Sequence, residues 1–191
     1  LRGAQNAYEL GLRKVCYVVS LSKSHNKANI NRTHEQSLEA YQEIRAAYPD
    51  LEVVVDLATT FGCPFEGKYN DSQAVVNFLK DYADAGMTTC CLCDTIGIAD
   101  PAQVKSVIGE LKASYPNLQL QVHFHDTRGL GMVNTMAAIE SGVTEVQSAL
   151  GGLGGCPFAP GASGNLSTED MVWMLNEMGF KTGVSFSKVL E

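Results

Sequence analysis

Two histidines, an asparagine and a cysteine are the residues of this sequence best placed to do chemistry. His123 and His125 close a run in which Gln119, Gln121, His123 and His125 alternate with Leu118, Leu120, Val122 and Phe124. Side chains on a strand point to opposite faces with period two, so both imidazoles share one face. Neutral imidazole nitrogens are metal ligands, and two of them joined by oxygen donors suit Mg2+, Mn2+ or a similar octahedral ion better than a structural zinc. Two histidines hydrogen-bonded inside a polar interior would give the same pattern. What favours the metal reading is the next segment, Gly151 to Asn165, which is rich in glycine and holds one thiol, Cys156, and one terminal amide, Asn165. So many glycines leave little surface to bury, and their use points to backbone conformations that other residues rarely adopt. An amide oxygen from Asn165 would complete a mixed nitrogen and oxygen site. Cys156 on a loop over a polar face could serve as acid or base.

Asp94, in Cys93-Asp94-Thr95-Ile96-Gly97, ends an apolar run and begins a turn. Its carboxylate can cap that turn, or it can orient a substrate hydroxyl or a histidine. Thr95 beside it is a candidate substrate contact. Asn29 and Asn31 read as amides shaping a loop, with Asn29 also a candidate substrate contact. Lys23, Lys27 and Arg32 form a small basic cluster on that stretch, best read as a solvated face.

The elements that must position these residues alternate regularly. Strand patterns occur at Lys14 to Ser20, Leu51 to Leu57, Thr88 to Cys93, Leu118 to His125 and Glu145 to Leu150. Helical patterns fill Leu1 to Leu10, His34 to Ala47, Asp71 to Ala85, Pro101 to Ser114, Leu130 to Ser141 and Ser167 to Met178. Thr33, Asp100 and Ser167 are capping residues, and Gly86, Gly142 and Gly179 sit where left-handed helix stops belong. Repeated βα units imply parallel strands with right-handed crossovers. Polar residues gather at the carboxyl end of strand after strand, which favours a (β/α)8 TIM barrel, where those ends form one active face. No GxGxxG follows an early strand, so a dinucleotide fold is disfavoured. Only five strands can be counted, so the expected fold is the C-terminal portion of a single barrel domain over residues 1–191. The opening at Leu1, already in a helical pattern, agrees with that expectation.

Composition excludes several classes. The 191 residues are 45% hydrophobic and 18% charged with a net charge of -7, which suits one compact domain and argues against nucleic acid as a partner. No apolar run reaches the length of a membrane span, so a cytoplasmic protein is expected, or a mitochondrial one if a transit peptide precedes the chain. Cys16, Cys63, Cys90, Cys91 and Cys93 read as buried reduced thiols.

The run Gly152-Leu153-Gly154-Gly155-Cys156-Pro157-Phe158-Ala159-Pro160-Gly161-Ala162-Ser163-Gly164-Asn165 resembles the signature loop of 3-hydroxy-3-methylglutaryl-CoA lyases. The likeness extends through His123-Phe124-His125-Asp126-Thr127, Asp94-Thr95-Ile96-Gly97, Gly62-Cys63-Pro64-Phe65-Glu66-Gly67 and Lys27-Ala28-Asn29-Ile30-Asn31. It implies a TIM-barrel lyase dependent on a divalent cation, cleaving an acyl-CoA to acetyl-CoA and acetoacetate. His123, His125 and Asn165 would be metal ligands, Cys156 the catalytic thiol and Asp94 a supporting acid. A homodimer is the expected assembly. The related isopropylmalate and homocitrate synthases share the histidine pair and the glycine-asparagine end but lack this cysteine, leaving a condensing synthase as the alternative, with a non-catalytic barrel remnant as another. Nothing here corresponds to the family's Arg-Asp pair and glutamate, so this polypeptide by itself is expected to bind metal weakly and turn over nothing. Lys23, Arg128 and Gln147 depart from the residues usual at their positions, which leaves another 3-hydroxyacyl-CoA open as substrate.

Overall fold

The computed structural model describes residues 1–155 and 164–191. In chain order the elements are α1 (Arg2–Glu9), β1 (Lys14–Ser20), α2 (Lys23–Ile30), α3 (His34–Ala47), β2 (Glu52–Ala58), a hairpin of β3 (Gly62–Cys63) and β4 (Gly67–Lys68), and α4 (Gln73–Asp84). They continue with β5 (Thr89–Asp94), α5 (Pro101–Ser114), β6 (Gln119–Phe124), α6 (Gly131–Glu140), β7 (Glu145–Gln147), α7 (Thr168–Glu177) and α8 (Phe186–Val189). The long strands pair in the order β1-β2-β5-β6-β7, every pairing parallel. Spatial order follows chain order with no reversal, so the right-handed crossovers put the helices on one face. That is the arrangement of a barrel wall. A doubly wound sheet would reverse and carry helices on both faces.

The two faces differ as this predicts. Val53, Val55, Leu57, Cys90, Leu92, Leu120, Val122 and Phe124 pack with helix residues such as Ile44, Leu79, Ile108 and Ala138 into one core. Burying each large aliphatic side chain contributes about 1.5–3 kcal/mol. The alternate residues Val54, Cys91 and Cys93 form a separate small cluster on the opposite face. Register fixes what shares that face: Cys93 lies opposite His123, and His123 opposite Gln147. The imidazole of His123 therefore points away from the helical layer.

Local signals explain the element ends. Thr33 and Gln36 form a reciprocal capping box at α3, Asp100 accepts from the Gln103 amide with Pro101 in the first turn of α5, and Ser167 accepts from the Asp170 amide. Gly86, Gly142 and Gly179 adopt φ of 86°, 82° and 83° at helix stops. β7 is shorter than its apolar pattern, because Leu150–Gly152 coils into a 3-10 turn with Gly151 at φ 60°.

Two expectations are corrected. The stretch carrying Lys23, Lys27 and Asn29 is helix α2, not a loop. Ser22 caps it by accepting from the His25 amide, and Asn31 ends it at φ 54°. The helix buries His25 and Asn26 instead of aliphatic side chains, so no hydrophobic period announces it. Cys16 is exposed, unlike the other four thiols of its group among the described residues. It lies on the cluster face of β1, away from the helices.

Candidate active site

A cavity of about 380 Å³ opens where the strands end, and its walls come from all five parallel strands, α2 and the glycine-rich segment. His123 and His125 line it with Asn165 and Gly155; Asn29 and Thr95 line it from the other side, with His25, Asp56 and Gln147. The expected ligand trio is thus brought together. The imidazole centroids of His123 and His125 lie 5.3 Å apart with planes at 63°.

Backbone pairing carries Asn165 to the histidines. The Asp126 amide donates to the Gly164 carbonyl at 3.2 Å and the Leu166 amide to the Phe124 carbonyl at 3.1 Å, so His125 and Asn165 face each other as an antiparallel bridge. The Asn165 amide nitrogen donates to the Leu153 carbonyl at 2.7 Å. That bond leaves its oxygen free on the cavity wall that both imidazoles share. Gly154, at φ +104°, makes the arrangement possible, since a Cβ there would lie 2.8 Å from the Asn165 amide nitrogen. Gly154→Ala is accordingly expected to swing the amide and lower Mn2+ affinity by about 10–100-fold, the usual effect of disturbing a group that orients a ligand. Calorimetric titration checks this, and an unchanged affinity would refute it.

The donor chemistry fits a divalent ion. Nδ1 of His123 and Nδ1 of His125 are buried without a hydrogen-bond partner, an expensive state for a polar atom that a cation would relieve. Among the described residues no three His, Cys, Asp or Glu side chains converge, so a cation at the histidine pair would need a donor of another type, for which the Asn165 amide on the same cavity wall is placed. Such a mixed set of two imidazole nitrogens and an amide oxygen suits Mg2+, Mn2+ or a similar divalent ion better than a structural zinc.

Electrostatics keep the pair ready. Burial lowers the His125 imidazole to about 4, with the neighbouring His123 adding to the effect and Asn165 opposing it. Burial also lowers His123, again against Asn165. Both rings are neutral near pH 7, the form that binds metal.

Asp94 is buried, but its carboxylate accepts from the Ile98 amide at 2.9 Å and the Ala99 amide at 3.1 Å. It organises the turn after β5 and is not among the cavity's lining residues. Arg128 braces the same turn by donating to the Ile96 and Gly97 carbonyls at 2.8 and 3.1 Å. The turn delivers Thr95, whose hydroxyl oxygen accepts from the Thr59 amide at 2.7 Å. Thr59 holds φ 56°, a strained value for a β-branched residue, and its own hydroxyl accepts from the Ser22 amide at 3.1 Å. The ends of β1, β2 and β5 are thereby laced together beneath the cavity.

Acid stability should expose these environments. An unfolded chain protonates its histidines near pH 6.5, whereas burial lowers His25, His34, His123 and His125 in the fold. Their contribution is complete above pH 6.5 and is lost as pH falls toward 4. Asp94 acts in the opposite sense: burial raises it to about 6 against the Ile98 and Ala99 amides, so the folded state gains a proton first and recovers stability in the same window. Asp94→Asn should therefore steepen the fall in stability between pH 6.5 and 4 by about 2–3 kcal/mol over the window. Thermal melts across that range test it; parallel slopes would contradict it.

Sequence reasoning overlooked His25, Asp56 and the cavity-facing role of Gln147. Asp56 could have been found, because it is the lone charge inside Val53-Val54-Val55-Asp56-Leu57 and shares the face of Val54 and Ala58 by alternation. His25 sits in a polar helix without period and gave no signal. Cys156 lies outside the described residues.

Comparison with known proteins places this geometry. The HMGL-like family model matches residues 1–191. The chain is 41% identical over 191 residues to the hydroxymethylglutaryl-CoA lyase YngG of Bacillus subtilis, covering 99% of this chain and 64% of that protein. It is 37% identical over 193 residues to the mitochondrial hydroxymethylglutaryl-CoA lyase of Homo sapiens, covering 100% of this chain and 59% of that protein. A solved HMG-CoA lyase from Acinetobacter baumannii, in complex with coenzyme A and 3-methylmalate, superposes with a TM-score of 0.91 at 43% identity, over 99% of this chain and 62% of that one. The chain spans about three-fifths of the length of these relatives.

Proposed function

The chain belongs to the HMGL-like family, and from that premise we propose that it carries the metal site and thiol of a lyase cleaving 3-hydroxy-3-methylglutaryl-CoA, or a close 3-hydroxyacyl-CoA, to acetyl-CoA and acetoacetate or the corresponding ketoacid. The observation that carries the reading is the gathering of two neutral imidazoles and the Asn165 amide on the wall of one cavity. His123, His125 and Asn165 would hold a Mg2+ or Mn2+ ion. When bound, that ion supplies Lewis-acid charge for the hydroxyl and carbonyl oxygens of a chelating substrate.

The chain's own residues do the rest. Thr95 accepts from the Thr59 amide, so its hydroxyl proton is available to a substrate oxygen. Asn29, on the facing helix, offers an amide to the same cavity. Asp94 acts through the turn it holds, as a positioning residue for Thr95. Cys156 is assigned the proton delivered to the enolate carbon after the carbon-carbon bond breaks, a step suited to a thiol. No described helix is long and apolar enough to cross a membrane, and the reading is of a cytoplasmic enzyme, or a mitochondrial one in a eukaryote.

The test is a cleavage assay of the full-length gene product with 3-hydroxy-3-methylglutaryl-CoA, before and after chelation and Mn2+ restoration. Metal-dependent release of acetyl-CoA is expected. Release of free CoA from acetyl-CoA plus a 2-oxoacid, without cleavage, would replace this reading by the condensing synthase.

A further inference from the structure

The inner face of the sheet holds a carboxylate that the chemistry above does not use. Asp56 lies on β2 between Val54 and Ala58, and it is the one acid among the described residues lining the cavity. No lysine or arginine is among those residues, so it has no counter-charge there. Gln147 lines the same cavity wall, and burial raises the Asp56 carboxyl above its usual range, with the nearby Cys16 and Gln147 opposing that shift. Gln147 donates to Gln121 Oε1 at 3.2 Å, and Gln121 donates to Glu145 Oε2 at 2.7 Å. These amide bonds fix Gln147 to β6 and β7, on the wall it shares with Asp56. Asp56 Oδ1 itself is buried without a partner.

A buried carboxylate oxygen lacking a donor loses its hydration and gains nothing in return. Around it the wall is otherwise small or apolar, with Val18, Ala58 and Cys93 leaving room for a substituent of the substrate. A hydrocarbon group seated there would leave the oxygen unmet. A group with an O–H would satisfy it, and a second carboxylate would be disfavoured by like charge.

Resting on the lyase reading, we propose that Asp56, with its buried unpartnered oxygen on the cavity wall, is a specificity determinant of this cavity: it accepts a hydrogen bond from a hydroxyl on the acyl branch, so that the preferred substrate is a 3-hydroxyacyl-CoA with a hydroxylated branch. A site built to hydrogen-bond a hydroxyl discriminates strongly against the analogue lacking it, whereas a hydrocarbon pocket rejects an added hydroxyl only modestly.

The experiment compares two non-cleavable thioether analogues of the CoA ester, one with a 3-methyl branch and one with a 3-hydroxymethyl branch. Their affinities for the Mn2+-loaded full-length protein are measured by calorimetry. The hydroxymethyl analogue is expected to bind at least about tenfold tighter. Asp56→Ala should bring the ratio to one or below, and Asp56→Asn, which keeps an acceptor oxygen, should preserve much of it. Equal affinities in the unmutated protein overturn the proposal, as does a ratio that survives Asp56→Ala. The first of these needs no variant, so misfolding of Asp56→Ala cannot shield the idea. Cleavage of the corresponding thioesters is scored separately, so loss of the lyase reading and loss of this inference give different results.

Discussion

His125→Ala is expected to lower divalent-metal affinity by at least about 100-fold and to reduce turnover by several orders of magnitude. The ring is buried, neutral and bound into the site from three directions: the adjacent His123, the facing Asn165 and the end of β6. Under the proposed assignment its removal takes one of three donors and leaves His123 and Asn165 as the remaining two. The fold should survive, because the core on the helical face does not include His125. Titration with Mn2+ and a cleavage assay read the two effects, and circular dichroism checks the fold. An affinity within threefold of the unmutated protein would sink the ligand assignment.

Cys156→Ala should behave differently: turnover falls by about 10²–10⁴, the range for losing a general acid, while metal affinity stays the same. The separation follows from the two roles. As proposed, the metal site would stabilise charge on oxygen, whereas the thiol would act on the carbon that receives a proton. The described residues flanking that segment, Gly155 and Asn165, both line the cavity. Cys156→Ser is the informative companion, because a hydroxyl of similar size is a far weaker acid than a thiol. If Cys156→Ala retained full turnover, the proton donor would have to be sought elsewhere on the cavity wall.

The shared face of His123 and His125 was readable because a strand's period of two leaves no choice once the alternating leucines and valine face the core. The barrel-like order was readable for a similar reason, since repeated βα units permit one handedness of crossover. Helix α2 was not. Its stability comes from Ser22, Asn26 and Asn31 hydrogen bonds and from burial of His25, none of which leaves a hydrophobic period. Asp94 shows the limit within the site itself: its type and place at a strand end permit either a reactive carboxylate or a turn cap. The two backbone amides that it accepts could be assigned only in space.

Residue types and local spacing thus determined the donor set, the strand periodicity and the capped helices, because those depend on neighbours a few residues away. Distance along the chain hides the rest. That Asn165 would keep its oxygen free on the wall of the imidazoles depends on a carbonyl at Leu153 and a missing side chain at Gly154. That Asp56 would share a cavity with His123 and Gln147 depends on the parallel register of β2, β5, β6 and β7. Only packed strands bring residues so distant in sequence onto one wall, which is why the candidate donors were legible beforehand and the cavity around them was not.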